Sequence, residues 1–359
     1  MALALQLARN GLNTTDPNPR VGCVIADGDR IVGQGWHEQA GGQHAEIAAM
    51  NDAAEPVAGM TAYVTLEPCA FHGKTPPCAD TLLEAGIGRV VAAIEDPHPR
   101  VDGGGLQRLR DAGVQVECGL MAAQAEDLNA GFLKRMRSGR PWVRVKSALS
   151  LDGRTGLATG ESKWISSEES RRDVQRWRAR SSAILTGIGT VLADDPSMNA
   201  RVGGAVKQPL RIVADSRWRT PPGSRILRNP ETAWVVGGEL NDAGRKLQET
   251  GAQCLSIPGS DGRPDLGALM DAMGEAGINE VQVEAGPELC GALLEQELVD
   301  EILLYVAPVL LGDSPKGPFA FGPLESMAGR TQLEWLETIQ TGADLRLRLK
   351  PLNKQDHGH

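Results

Sequence analysis

The sequence predicts an α/β protein of two domains, each built on a mainly parallel sheet covered by helices on both faces. Two observations carry that prediction. Short runs rich in valine, isoleucine and alanine alternate with segments of helical period along most of the chain, and strands alternating with helices imply parallel pairing. The alternation also runs twice, interrupted at "SGRPW", and 359 residues exceed what one core usually serves.

The opening "MALALQLARNG" reads as an amphipathic helix, since it lacks the basic start and cleavage site of a secretory leader. "RVGCVIAD" and "RIVGQGWH" are strands joined by the turn "DGD". "HAEIAAMNDAA" is a helix, "TAYVTLE" a strand and "CADTLLEAG" a helix. "RVVAAIED", "GLQRLRDAG" and "VQVECGL" continue as strand, helix and strand, and "AEDLNAGFLKRMRSG" closes the series as a helix. Gly and Pro near Gly139–Trp142 place the boundary there, giving domains 1–141 and 142–359. The second series holds the strands "VRVKSALSLDG", "PLRIVADS", "TAWVVGG", "EVQVEAG" and "EILLYVAPVLLG". "SSEESRRDVQRWRAR" and "DLGALMDAMGEAG" are helices between them.

Composition narrows the function classes. A net charge of −9 and only 4% aromatic residues argue against a nucleic-acid partner, which calls for a basic footprint and stacking platforms. No apolar run reaches membrane-spanning length. Six cysteines in so long a chain are no disulfide framework. In the absence of an export signal they place the protein in a reducing cytoplasm, where paired cysteines read as metal ligands or redox groups.

The chemistry concentrates in "QHAEIAAM" and "TLEPCAFHGKTPPCAD". His44, Cys69 and Cys78 are three ligands of the nitrogen and sulfur kind that zinc takes, and a catalytic zinc keeps its fourth position for water. His72, in the loop between the cysteines, is the one residue nearby that would close the shell and make the site structural. Glu46 favours catalysis: zinc acidifies its water, and the reaction still needs a proton carrier that does not bind the metal. Residues i and i+2 of a regular helix point about 200° apart. His44 is therefore expected at the helix lip, with Glu46 reaching back over the metal. Cys78 follows "TPP" and opens a helix, where the positive end favours thiolate. "GKT" at 73–75 is no P-loop, because Pro68 stands where that motif needs glycine.

H-x-E followed by P-C and a second cysteine is the zinc nucleobase-deaminase signature, here with residues 70–77 between the cysteines. "TDPNPRVGCVI" and "TLEPCAFHGKTPPC" together resemble the bifunctional riboflavin-biosynthesis deaminase/reductase family. The resemblance implies a cytidine-deaminase-like three-layer domain in which His44, Cys69 and Cys78 hold Zn²⁺. Glu46 would shuttle protons while hydroxide displaces an exocyclic amine of a diaminopyrimidinone ribosyl phosphate. Asn18 and Lys74 match substrate-touching positions of that family; by propensity alone, Asn18 is an ordinary Asn-Pro turn.

Nothing after Pro141 identifies a reductase from the residues alone. There is no G-x-G-x-x-G, and "VEAGPELCGALL" offers only a Gly-Pro turn leading into a helix, a weak phosphate signal. Arg171, Arg172, Arg176, Arg178 and Arg180 read mostly as a solvated helix face, with one or two free to clamp a phosphate. "FLKRMRSGRPWVRVK" reads as an exposed basic junction. However, "SLDGRT", "GESKWIS", "TVLADDPSMNAR" and "VEAGP" resemble, in order, the reductase half of the same family. That implies a dihydrofolate-reductase-like α/β domain that uses NADPH to reduce the ribosyl chain to ribityl. Ser162, Arg178, Met198, Arg201 and Glu284 match its substrate positions. Ala148, Trp164, Thr190, Asp194 and Ser216 match its cofactor positions, with the loop Gly286, Pro287, Glu288, Leu289, Cys290, Gly291 and Ala292. The resemblance and base rates imply a homodimer.

Two other readings remain at this point: a deaminase of bases in nucleic acid, against which charge, aromatic content and the large second domain count, and a zinc-stabilised binding module, which has no use for Glu46.

Overall fold

The computed structural model describes residues 1–71, 76–313 and 316–352. The chain forms two compact units, Met1–Arg140 with Ala205–Lys207, and Pro141–Gly204 with the chain from Gln208 onward.

The first unit runs α1 (Ala2–Ala8), β1 (Gly22–Asp27), β2 (Arg30–Trp36), α2 (Ala45–Asp52), β3 (Thr61–Val64), α3 (Cys78–Glu84), β4 (Arg89–Ala92), α4 (Gly104–Asp111), β5 (Gln115–Cys118) and α5 (Ala122–Ser138). Its five-stranded sheet has the order β2-β1-β3-β4-β5. The β3–β4 and β4–β5 pairs are parallel, but β1 is antiparallel to both β2 and β3. The expected mainly parallel sheet is thus mixed here. Only Gly28 and Asp29 separate β1 from β2, too few residues for a crossover, so the pair must form a hairpin. Leu5, Ala8, Leu128, Phe132 and Leu133 bury the α1/α5 face of the sheet, and Ala45, Ala49, Leu82, Leu106 and Leu109 bury the α2/α3/α4 face. The result is three layers. Helix α2 lies almost in van der Waals contact with β2: a Cβ on Gly33 would fall 2.2 Å from the Ala49 carbonyl oxygen, and one on Gly35 2.5 Å from the Ala49 nitrogen. Those two glycines set the height of the helix that carries Glu46.

The second unit runs β6 (Trp142–Ser150), α6 (Glu168–Arg180), β7 (Ala183–Gly187), α7 (Ile188–Asp194), β8 (Leu210–Ala214), β9 (Ala233–Gly237), α8 (Asp242–Gln248), β10 (Gln253–Ser256), α9 (Leu266–Glu275), β11 (Glu280–Val283), α10 (Pro287–Glu295), β12 (Glu301–Ala307), β13 (Leu333–Thr341) and β14 (Asp344–Pro351). The sheet order is β10-β9-β8-β7-β11-β6-β12-β14-β13. All pairs are parallel from β10 to β12, and β14 and β13 add an antiparallel hairpin at the far edge. One face packs on α9 and α10 through Leu269, Met273 and Leu293, the other on α7 and α8 through Val191 and Leu247. Strands β7, β10, β13 and β14 and helices α7 and α8 were not anticipated from sequence. No helix among the described residues is long and apolar enough to cross a membrane.

Candidate functional site

His44 is the N-cap of α2, with φ −73° and ψ 157°, so its backbone is extended rather than helical. That is the lip position the i, i+2 geometry demanded, and it lets His44 and Glu46 serve one corner. Cys78 is the first residue of α3, behind Pro77. His44 Nδ1 lies 3.1 Å from Cys78 Sγ and 3.6 Å from Cys69 Sγ, and the Cys78 backbone N–H donates to Cys69 Sγ at 3.3 Å. All three ligand atoms lie within 4.8 Å of one another.

The donors fit a divalent metal. Cys69 is held well below the usual thiol range, first by the hydrogen bond from Cys78 and then by His44, against the pull of burial. The same pairing, with burial and Glu46, drives the Cys78 thiol up. Two thiolates cannot share this space without a cation, and one imidazole with two sulfurs is the donor set zinc accepts while leaving a position open. No other His, Cys, Asp or Glu joins the group among the described residues; His72 and Lys74 lie outside them.

Glu46, in the first turn of α2, is buried, and burial pushes its carboxyl up to about 7, with Cys69 adding to the rise and His44 opposing it. A carboxyl balanced there can take and give a proton near neutrality. A cavity of about 280 Å³ opens beside it, lined by Asn18, His37, His44, Glu46, Cys69 and Asp96 among others. The turn bearing Asn18 is tied to α5, because Asn129 Oδ1 accepts from the Arg20 N–H at 2.8 Å and its amide donates to the Arg20 carbonyl at 2.9 Å. His37 Nδ1 lies 2.7 Å from the Gln43 carbonyl and must carry the proton, so Nε2 accepts from the Asn18 amide at 3.1 Å. Among the described residues, Asn18 therefore has its carbonyl oxygen left to offer to a ligand.

In the second unit Arg178 grips Glu284 through both edges of its guanidinium, Nε to Oε1 at 2.6 Å and Nη2 to Oε2 at 2.8 Å. It also reaches the Asn199 carbonyl at 3.1 Å and Met198 Sδ at 3.7 Å. Burial would raise the Glu284 carboxyl; Arg178, Lys146 and Gln282 more than reverse that and hold it at about 2. Burial also lowers the Lys146 ammonium, with Glu284 pulling the other way. Arg201 is exposed and donates to Asn199 Oδ1 at 2.9 Å, and Ser162 is exposed as well. The arginine helix is less solvated than expected: Arg178 and Arg180 turn inward to Glu284 and Glu280, and Arg171 lies over the Trp164 ring at 4.6 Å.

Of the expected cofactor positions, Thr190 lies in α7 directly after β7, Ser216 just after β8 and Gly286 just after β11. These are the carboxyl ends of three adjacent parallel strands, where open α/β sheets bind ligands. The Asp194 carboxylate pairs with Lys163 Nζ at 2.6 Å, next to the exposed Trp164. Ala148 packs against the cluster of Val174, Trp177, Leu303 and Tyr305. Gly286–Ala292, read from sequence as a Gly-Pro turn leading into a helix, is the N-cap and first turns of α10. Cys290 is buried there, its thiol pushed up to about 12 by burial, and a Cβ on Gly291 would meet the Ala320 carbonyl oxygen at 1.9 Å.

Sequence reasoning missed His37, Asp96 and Lys146. His37 ends a strand, Lys146 sits inside an apolar run and Asp96 closes "RVVAAIED"; a polar residue at a strand end or in a buried strand was the only signal.

Donor set, layer order and proton carrier define a zinc-dependent deaminase domain joined to a second α/β domain. Residues 1–94 match the family described as cytidine and deoxycytidylate deaminase zinc-binding region, and residues 141–347 match the RibD C-terminal domain. The riboflavin biosynthesis protein RibD of Escherichia coli is 48% identical over 97% of this chain and 98% of its own length; that of Haemophilus influenzae is 43% identical over 98% and 96%. The solved Acinetobacter baumannii RibD superposes with a TM-score of 0.90 at 45% identity, covering 98% of both chains. The Thermotoga maritima diaminohydroxyphosphoribosylaminopyrimidine deaminase/5-amino-6-(5-phosphoribosylamino)uracil reductase superposes with a TM-score of 0.85 at 29% identity, covering 98% of this chain and 97% of its own. This chain belongs to the RibD family of bifunctional deaminase/reductases.

Proposed function

We propose that residues 1–141 hydrolytically deaminate a ribosylated diaminopyrimidinone 5′-phosphate, and that residues 142–359 then use NADPH to reduce the ribosyl chain of the resulting aminouracil to ribityl. The observation that carries the first step is a buried carboxyl, Glu46, beside three converging metal donors with no fourth protein ligand among the described residues.

Bound by His44, Cys69 and Cys78, zinc would supply an acidified water as nucleophile. Glu46 moves the protons, taking one from the attacking water to the ring nitrogen beside the reacting carbon, then carrying the remaining proton of the newly attached hydroxyl to the departing amine. Ammonia leaves and a carbonyl remains. Asn18, steered by His37, offers its carbonyl oxygen to a donor on the ring, and Lys74 is assigned to the substrate by its family position.

For the second step, Arg178, Glu284, Met198, Arg201 and Ser162 are read as substrate positions. Ala148, Trp164, Thr190, Asp194, Ser216 and the Gly286–Ala292 segment are read as cofactor positions. The convergence of Thr190, Ser216 and Gly286 on one edge of the parallel sheet supports a nucleotide there. NADPH would supply the hydride. We further read the protein as a cytoplasmic homodimer, in keeping with the prevalence of twofold assemblies.

The test is to supply the pyrimidine phosphate with and without NADPH and to identify products by mass. Loss of the amine alone without NADPH, followed by a two-hydrogen gain when NADPH is added, is expected. Reduction of the sugar with no prior loss of ammonia would overturn the order proposed.

A further inference from the structure

Three acidic side chains line the deaminase cavity: Glu46, Glu67 and Asp96. Glu46 carries the protons. Glu67 is fully engaged, its Oε2 accepting from the Asp96 and Gly103 backbone N–H groups at 3.0 and 3.1 Å and its Oε1 from Gly105 and Leu106 at 2.8 and 3.0 Å. Four backbone donors, two of them in the first turn of α4, leave that carboxylate nothing for a ligand. They also fix the chain at Asp96 from one side. The approach is close: a Cβ on Gly105 would fall 1.9 Å from the Pro68 carbonyl oxygen, so α4 sits directly on the segment leading to Cys69.

Asp96 is different. It is only 8% exposed, yet just one of its carboxylate oxygens is used, Oδ1 accepting from the His98 backbone N–H at 2.9 Å. Oδ2 has no partner among the described residues and belongs to a residue of the cavity wall. A ligand that donates to that oxygen would gain a hydrogen bond to a charged acceptor already fixed in the cavity wall.

We propose that Asp96 is a specificity-determining residue of the deaminase site, its free oxygen accepting a hydrogen bond from an amino or ring N–H group of the pyrimidine. This rests on the deaminase reading above and extends it: the pocket selects rings with donor groups on the edge that Asp96 meets, in addition to whatever Asn18 reads. Asp96 is held in place by Glu67 and the His98 N–H before substrate arrives, so the contact needs little reorganisation. Because the contact is already available to bound substrate, its loss raises KM more than it lowers kcat.

The experiment uses the full-length zinc-loaded enzyme and compares the wild type with Asp96→Asn and Asp96→Ala. KM for the pyrimidine phosphate is expected to rise about ten- to a hundredfold, the range for a hydrogen bond to a charged group, with zinc content and NADPH oxidation on the deaminated substrate unchanged. A wild-type enzyme that releases no ammonia refutes the deaminase reading itself. If the wild type turns over while both variants keep KM within about twofold, the proposal fails. Loss of zinc along with activity in both variants also overturns it, by assigning Asp96 to support of the metal loop.

Discussion

In the first unit the three candidate metal ligands and the proposed proton carrier come from one short stretch, with His44 and Cys78 only 34 positions apart, on the starts of two neighbouring helices. In the second, Arg178 and Glu284 grip one another across 106 positions. The two units also bury charge differently. The buried Glu67 accepts hydrogen bonds from four backbone N–H groups. In the second unit Arg144 sits between Glu280 and Glu301 at 3.1 and 3.0 Å, all three side chains 1% exposed. The guanidinium groups of Arg144, Arg180, Arg346 and Arg348 surround the Trp177 ring at 4.4 to 5.5 Å. Glu67 is solvated by main chain, whereas Glu280 and Glu301 rely on arginine side chains, each of which mutation can remove. A buried pair stripped of one member leaves an uncompensated charge.

The contrast can be broken most sharply at Glu46, the proposed proton carrier. Glu46→Gln should lower ammonia release by about 10²- to 10⁴-fold while NADPH oxidation on the deaminated substrate stays at the wild-type rate. A parallel fall in both activities would mean the units are not independent. Next comes Arg178→Ala, which strands Glu284, a side chain 10% exposed. A cost of about 3–5 kcal/mol in urea unfolding is expected, with NADPH oxidation abolished and deamination retained; a loss below about 1 kcal/mol would show that the pair behaves like a surface contact.

Acid should separate the units too. Glu284 and Glu301 are each held at about 2 against an ordinary 4.5, Glu301 because Arg144 and Arg348 outweigh its burial. Their stabilising contribution is complete above 4.5 and is lost as pH falls toward 2. Asp96 runs the other way: burial first, then Glu67, raises it from 3.8 to about 6, so its neutral form favours folding below 3.8 and that contribution disappears as pH rises through 6. Trp36 lies in the first unit, while Trp142, Trp164, Trp177, Trp218, Trp234 and Trp335 lie in the second, so tryptophan fluorescence follows mainly the latter. Its urea midpoint should fall between about pH 5 and pH 3; a constant midpoint would remove the contrast. The smallest effect is expected at Ser167, the N-cap of α6, whose hydroxyl accepts from the Ser170 N–H at 3.3 Å. Ser167→Ala should cost about 1 kcal/mol in the same titration and leave deamination untouched.

Several features were legible before any fold. The order His44, Glu46, Cys69, Cys78 carries its own chemistry, and helical geometry alone required His44 to stand at the helix start, where it is found. The "DGD" turn likewise marked the β1–β2 hairpin, although its consequence, antiparallel pairing in a sheet otherwise read as parallel, was not drawn. Strand β7, "AILTG", follows the arginine helix so closely that only its place beside β11 marks it as a central strand. β13 escaped because its residues are nearly all exposed, so no face of "LEWLETIQT" has the in-and-out contrast that identifies a strand.

By itself the sequence determined what can bind metal, what can carry a proton and, in the first unit, which segments are helix or strand, because those properties belong to residue types at short spacings. Tertiary structure alone decided which polar groups are satisfied and which remain free. Glu67 and Asp96 are both acids a few residues beyond the adjacent strands β3 and β4; one is saturated by backbone N–H groups and the other keeps an oxygen without a partner among the described residues. Hydrogen-bond partners and burial are set by chain segments far apart in sequence, and no local pattern encodes them.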